Sequence, residues 1–446
     1  MPRIIRMMPR RIAVACVLAW GLASSSLAQA PAPAPFPIDT ALARCYFQES
    51  AELTARDAGR LWGRSLAGRV LFVDPATRTL LAELPDTESR LHPLGSFYTG
   101  LLGPADPVAN TGLVWGGRTW AMLRWPPPAD SVARAILLIH ELWHRVQDSL
   151  GLPARDPANP HLATRDGRLW LRLEGHALRR AVEAPAANRE SALRDALLFR
   201  RYRHRLFPAA DSAERLLELN EGLAEYSGIA LAPVDSVQQR RLIVHRLATL
   251  DSVEHFERDF AYHTGPAYGY LLDRVAPGWR AGLKPGDELA ALLGTALGAS
   301  AGSRVTRAAS RAAGYGLTIV RREENSRATR RLAHLKDLRA RFVTGATLEL
   351  PLARMKLGFD PGRVESLDSL GTLYGSLRLS DRWGVLQTDT SGGLISADWS
   401  HLVVPAPTDT GGRRLAGPGW VLELAPGWRL VPGLRTRDWV VRPIDQ

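Results

Sequence analysis

Leu137-Leu138-Ile139-His140-Glu141-Leu142-Trp143-His144 places two histidines four residues apart around a glutamate, inside an aliphatic run that opens at Ala135. On a helix, residues i and i+4 lie one above the other, so the two imidazoles converge on one point. Imidazoles so placed can hold one Zn²⁺ at about 2.0–2.1 Å. Glu141, on the wall of the same groove, can then take a proton from a water that the metal acidifies to a pKa of about 7. A histidine pair can also be core filler with satisfied nitrogens. The aliphatic setting weighs against that, because it buries at least one of three ionisable groups, and burial without a partner costs several kcal/mol.

Upstream, Pro126-Pro127-Pro128 and the N-cap Asp130 lead straight into this helix. Before them, Gly112-Leu113-Val114-Trp115 and Thr119-Trp120-Ala121-Met122-Leu123 close around Gly116-Gly117 as a hairpin. Arg69-Val70-Leu71-Phe72-Val73 and Thr79-Leu80-Leu81-Ala82-Glu83-Leu84 form another around Asp74-Pro75-Ala76-Thr77. Residues 38–62 read as a helix, with Ala41, Tyr46 and Leu53 among its apolar positions. Downstream, the histidine-bearing helix is expected to end near Gly151, and helices follow over 168–183, 190–206, 211–231 and 234–250. The third of these five carries Arg200, Arg201, Arg203 and Arg205 and reads as a solvated basic face. Residues 262–270 are rich in glycine and aromatics, 294–302 read as small-residue linker, 316–320 as an isolated strand and 324–342 as a charged helix. From Val343 the chain turns to short β-type runs broken by Gly, Asp and Pro, with Trp383, Trp399, Trp420, Trp428 and Trp439 spread through them. That pattern predicts a separate β-rich domain, a sandwich or small barrel.

A catalytic zinc takes three protein ligands and leaves a fourth position for water. No H-x-x-G-x-x-H extension supplies a third histidine, so a glutamate from a later helix is expected. Glu221, in Asn220-Glu221-Gly222-Leu223-Ala224, is one candidate and Glu174, in Leu173-Glu174-Gly175-His176, is the other. Glu221 has Glu225 one helical turn on, placed to accept the outer N–H of a ligating histidine, whereas Glu174 has Leu178 there. Glu218, Glu221 and Glu225 are read as one helical stripe, whose mutual repulsion of about 0.2–0.5 kcal/mol per pair a nearby dication would reverse.

His140-Glu141-x-x-His144 with Asn220-Glu221-Gly222-x-Ala224 resembles the gluzincin metallopeptidases, thermolysin-like enzymes and, more closely, alanyl-type aminopeptidases. The resemblance covers two short motifs in mid-chain. It implies a zincin-like, mainly helical catalytic domain, His140, His144 and Glu221 as zinc ligands, Glu141 as general base, and Glu225 holding a ligand from behind. Glu221 lies 77 residues after His144, a longer gap than those enzymes show, and Glu174 lies 30 after it, so both stay open. Arg145 stands where such enzymes carry an uncharged residue. They draw an oxyanion donor, Tyr or His, from beyond the third ligand. Tyr262, His263 and Tyr268 lie there, and Tyr268 is the choice. In such enzymes a strand before the active helix offers its edge to an extended peptide, which residues 112–115 are placed to do. No G-x-M-E-N-type anchor for a substrate N-terminus precedes the helix, so exopeptidase action is not expected. Ala281-Gly282-Leu283-Lys284-Pro285-Gly286-Asp287 resembles a PDZ turn, but its flanks read as helical.

The first thirty residues combine Arg3, Arg6, Arg10 and Arg11, an apolar run over 12–23 too short to span a bilayer, and Ala28-Gln29-Ala30. This is the pattern of a cleaved export signal, predicting a periplasmic or extracellular bacterial protein. Cys16 lies mid-run, where it makes no lipoprotein anchor, and no later stretch approaches the ~18 apolar residues of a membrane span. Without the leader the net charge drops from +12 to +8. Lys284, Lys336 and Lys356 are the only lysines beside 54 arginines, a bias that fits a GC-rich genome. The cations are interspersed with acids instead of forming a stripe, so no nucleic-acid partner is expected. Cys45 alone remains, so no internal disulfide forms.

The expectation is therefore an α+β chain with a signal peptide at 1–30, a linker and β-containing segment at 31–128, a helical zinc domain at 129–342 and a β-rich domain at 343–446. Its expected function is zinc-dependent hydrolysis of a peptide or protein substrate. The alternative is a non-catalytic envelope-binding protein with a structural or degenerate zinc site, whose tryptophans bind glycan or protein.

Overall fold

Alternation along the first strands shows how the N-terminal sheet is filled. In β1 (Val70–Val73) and β6 (Arg118–Arg124), Val70, Phe72, Ala121 and Leu123 face one core, while Leu71, Val73, Trp120 and Met122 face another. The computed structural model describes residues 36–103, 106–152, 154–298, 305–359 and 363–444. The leader, and the linker up to residue 35, lie outside the described residues. Both expected hairpins form: β1 pairs antiparallel with β2 (Thr79–Ala82), and β5 (Thr111–Trp115) with β6. They join one six-stranded sheet, because β1 and β6 run parallel and β3 (His92–Leu94) and β4 (Phe97–Leu101) extend the far side. The order β3-β4-β2-β1-β6-β5 leaves β5 at an edge.

Helix α1 (Thr40–Asp57), capped by Asp39, and α2 (Ser131–Gln147), capped by Asp130, pack on one face of the sheet. α2 is buried on nearly every side because α6 (Leu223–Leu231) covers the face turned away from β6. The crossing is close: a β-carbon on Gly228 would stand 2.6 Å from the Ile136 carbonyl oxygen. The remaining helices are α3 (Arg165–Glu183), α4 (Ala186–Leu206), α5 (Ala210–Leu217), α7 (Ser236–Thr249), α8 (Phe256–Asp259), α9 (Ala261–Val275), α10 (Leu289–Ala296), α11 (Ala308–Ala312) and α12 (Leu317–Arg339).

Three sequence expectations are corrected here. The solvated basic face of α4 is half wrong, because Arg200 and Arg203 are buried at 1% and 0% exposure. Arg200 chelates Glu218 at 3.0 and 2.6 Å, Arg203 chelates Glu214 at 2.7 and 2.6 Å, and both reach Glu174, at 3.1 and 2.6 Å. The acids that neutralise them come from other helices. Residues 316–320 are not a strand: Gly316, at φ +84°, opens α12, and Leu317 and Val320 bury into the helical core. The glycine-rich patch at 262–270 lies within α9. Finally, the 211–231 helix is interrupted by a π turn over Glu218–Gly222, where Leu223 N–H donates to Glu218 O, so Glu218 no longer shares a stripe with Glu221 and Glu225. Residues 281–287 are a turn between α9 and α10, not part of a PDZ fold.

From Thr347 the chain is β-structured, with a seven-stranded and a five-stranded sheet. Leu348, Leu350, Leu402, Val404 and Val441 of the first share one core with Leu379, Leu386, Leu415, Leu422 and Leu424 of the second. This is the sandwich alternative, and the whole chain is α+β. No described helix is long and apolar enough to cross a membrane.

Candidate metal centre

His140 and His144 leave α2 toward the π turn, and Glu221 meets them from it. His140 Nε2 and His144 Nε2 stand 3.1 Å apart, and Glu221 Oε2 lies 3.3 and 3.5 Å from them. Three ligands at 2.0–2.1 Å from a tetrahedral ion would have edges of about 3.3–3.4 Å, and the observed triangle is close to that size. Among the described residues these three are the one His/Cys/Asp/Glu group arranged to hold an ion.

The atoms behind the triangle fix its orientation. His140 Nδ1 lies 3.2 Å from Glu225 Oε2, and Arg246 donates to the other oxygen of that carboxylate. His144 Nδ1 donates to Gln147 Oε1 at 2.9 Å, Gln147 Nε2 to Asn220 Oδ1 at 3.0 Å, and Asn220 Nδ2 to Glu221 Oε1 at 3.3 Å. This chain ties the second histidine to the carboxylate ligand through three consistent donors. With both Nδ1 atoms engaged, both Nε2 atoms turn inward as ligands. Arg258 donates to Glu221 Oε1 at 3.0 Å, and Tyr262 donates to Oε2 at 2.5 Å while its ring stacks on His140 at 5.7 Å between centroids.

Charges in the site follow from this packing. Burial alone would lower the His140 pKa, but hydrogen bonds to Glu221 and Glu225 and the charge of Glu141 lift it to about 10. Burial would raise Glu221, yet the two histidines and Tyr262 hold it far below the usual carboxylate range. A cation can take the place of the proton this cluster attracts. Glu141 is pushed up by burial, which outweighs the pull of His140 and His144. At 3% exposure its Oε2 has no hydrogen-bond partner, a buried acceptor left open beside the triangle.

The glycines of the third-ligand motif and of α9 bring Glu221 and Tyr262 together. A β-carbon on Gly265 would lie 2.3 Å from Gly222 Cα, so the two backbones touch where they cross. The absence of side chains at both glycines is what lets the helices meet this closely. Tyr268, chosen as oxyanion donor, is not brought to the site. It is fully buried, and its hydroxyl donates to Glu174 Oε1 at 2.6 Å. Glu174 in turn belongs to the Arg200–Arg203 network, away from the histidines, and is corrected as a third-ligand candidate. His263 Nδ1 donates to the backbone carbonyl of Arg246. Gln147, Arg246 and Arg258 were not singled out from sequence, and Asn220 was quoted only as part of the motif around Glu221; the i+3 spacing of Gln147 from His144 was the one further hint.

A cleft of about 430 Å³ opens over the triangle, lined by Asn110, Thr111, Gly112 and Val114 of the edge-strand side and by Glu141, Arg145, Arg258 and Tyr262. Gly112 abuts α2, where a β-carbon would sit 3.3 Å from His144 Cβ. Comparison with known proteins gives no match to a family model, to a curated protein or to a solved structure.

Proposed function

We propose that this protein is an exported zinc-dependent hydrolase that cleaves peptide bonds in an extended peptide or protein segment. The observation that carries the reading is the convergence of His140 Nε2, His144 Nε2 and Glu221 Oε2 beside the open carboxylate oxygen of Glu141. A bound Zn²⁺ supplies Lewis acidity and makes water nucleophilic near neutral pH. Glu225 and Gln147 hold the two imidazoles in the tautomer that presents Nε2. Glu141, its pKa raised by burial, accepts the proton of the attacking water and delivers it to the leaving amine. Tyr262 takes the place expected of Tyr268: its side chain lines the cleft, and its O–H, given to Glu221 Oε2 in this structure, would turn to the carbonyl oxygen as negative charge develops there. The free edge of β5 offers backbone N–H and C=O groups to an extended chain lying along it. Export rests on the leader read in the sequence.

The binding-protein alternative has less support. Of the five C-terminal tryptophans, Trp383 and Trp420 are buried, Trp428 and Trp439 half-buried, and Trp399 alone is exposed, at 46%, so the five do not share one exposed platform. The test is elemental analysis of the purified protein with a peptide-library assay on wild type and Glu141→Gln. About one zinc per chain, with hydrolysis by wild type and none by the zinc-loaded variant, supports the reading. A folded wild type that takes up no zinc when supplied with it defeats the reading.

A further inference from the structure

Arg145, one residue past the second ligand, is the motif residue that the proposed chemistry does not use. Its side chain lies against the loop that follows α1, where Nη2 donates to Leu66 O at 3.3 Å and also to Ala67 O. Gly68 makes the room: a β-carbon there would fall 1.9 Å from Arg145 Nε. Arg64 reaches the same end of α2, donating to Ser149 O at 3.4 Å, and Arg69 closes the loop at the start of β1. Arg145 and Ser149 line the cleft over the triangle.

These cations differ from the four buried arginines of the described residues. Arg168, Arg172, Arg200 and Arg203 each meet at least one carboxylate within 3.1 Å. Among the described residues, none pairs with Arg64, Arg69 or Arg145. The Nε atoms of Arg69 and Arg145 are buried without a hydrogen-bond partner. Burial, and then the charges of Arg69 and Arg64, hold the Arg145 guanidinium below its usual range, so the three charges act on one another. Arg258, across the cleft, is by contrast neutralised by Asp156 and Glu221. Asp148 is the exposed acid nearest in sequence and makes no ion pair with the three. An uncompensated cationic cluster at reduced dielectric is relieved by an anion from outside.

We infer that this end of the cleft selects a peptide bearing a carboxylate, either an Asp or Glu side chain or the C-terminal carboxylate, read by Arg145, whose charge the nearby Arg64 and Arg69 reinforce. The inference rests on the peptide-cleaving reading above and adds its substrate class. Selection is by charge, so it weakens with salt.

The test uses the full chain as the zinc-loaded Glu141→Gln variant and fluorescent alanine-based octapeptides. One Glu or one Gln is stepped through the positions, and each peptide has a free or amidated C-terminus. Anisotropy should show one acidic placement binding about tenfold tighter than its neutral partner, a preference that shrinks from about 50 to about 300 mM salt. The Glu series and the free-terminus series separate the two sources of carboxylate. Adding Arg145→Gln should erase the preference, and exposed Arg64→Gln, which leaves the loop packing intact, should reduce it. Equal binding of acidic and neutral peptides, or a preference that survives both substitutions, overturns the inference. Hydrolysis by wild type with no acidic preference sinks this inference alone; acid-selective binding with no hydrolysis by wild type sinks the proposed function alone.

Discussion

Replacing Gly265 by alanine should push apart the two helices that carry Glu221 and Tyr262. The new β-carbon would stand 2.3 Å from Gly222 Cα, 2.8 Å from its carbonyl carbon and 3.0 Å from its oxygen. All three are backbone atoms, so no side-chain rotation relieves the overlap. Non-bonded carbons rest at about 3.5–4.0 Å, so α9 and the π turn must separate by more than about 1 Å. Overpacking of this kind costs about 1–3 kcal/mol, and alanine's helix preference over glycine offsets about 1 kcal/mol of it. The larger effect is on the site, because preorganised ligands tolerate displacements of only about 0.5 Å. Zinc affinity should fall about 10–100-fold, the range seen when groups supporting a ligand are lost. Urea unfolding and competition against a colorimetric chelator read the two effects separately. Gly282→Ala is the control, since nothing lies within 4 Å of its added methyl. If Gly265→Ala binds zinc and resists urea like wild type, the helix crossing does not set the ligand triangle.

Glu221→Ala should fold and lose zinc on elemental analysis. Glu174→Ala should keep zinc but lose about 3–5 kcal/mol in urea unfolding, because it strips a partner from buried Arg200 and Arg203. Gln147→Leu breaks the chain from His144 to Glu221 and should weaken zinc about 10–100-fold in chelator competition, with little change in unfolding midpoint. A pH effect is expected from His176, which lies 2.8 Å from Asp251. Burial pulls His176 down, but Asp251 outweighs it and raises the pKa above 6.5, while Asp251 is itself lowered below 3.8 despite burial. The His176 contribution is therefore full below pH 6.5 and fades as pH rises through its folded value; the Asp251 contribution is full above 3.8 and fades as pH falls through its folded value. Unfolding of His176→Asn across that span should show a flatter decline on the alkaline side than wild type, and parallel curves would contradict the pairing.

What the sequence disclosed was local. His140, Glu141 and His144 sit within five residues, where helical spacing alone brings them to one groove, and Asn220 to Ala224 sit within five more, where the resemblance to a known motif suggested Glu221. Joining the two across 77 residues depends on α2 and α6 packing through Gly228 and Ile136, which no local pattern announces. Tyr262 and Tyr268 could not be ranked without the helix phase, and the glycines and Pro266 around them hide that helix. Arg200 and Arg203 read as a wet face because charge is usually hydrated; the acids that make burial tolerable lie on α3, α5 and the π turn. Ile319 and Val320 suggested a strand because β-branched residues favour one, and the packing of Val320 into the helical core prevailed. The edge strand was legible because its alternation and its Gly-Gly turn are both short-range signals.

The π turn also shapes what kind of mutation this helix can absorb. Its extra residue in the turn sends Glu218 to Arg200 and Thr264, while Glu221 and Glu225 face His140. One helix therefore serves two buried charge systems, one centred on Arg200 and one on His140. Single substitutions along it are felt by one system or the other. A one-residue deletion between 218 and 222 would restore a regular helix, turn every later side chain by about 100°, and disturb both at once. Drift in amino-acid identity is tolerable here in a way that drift in length is not.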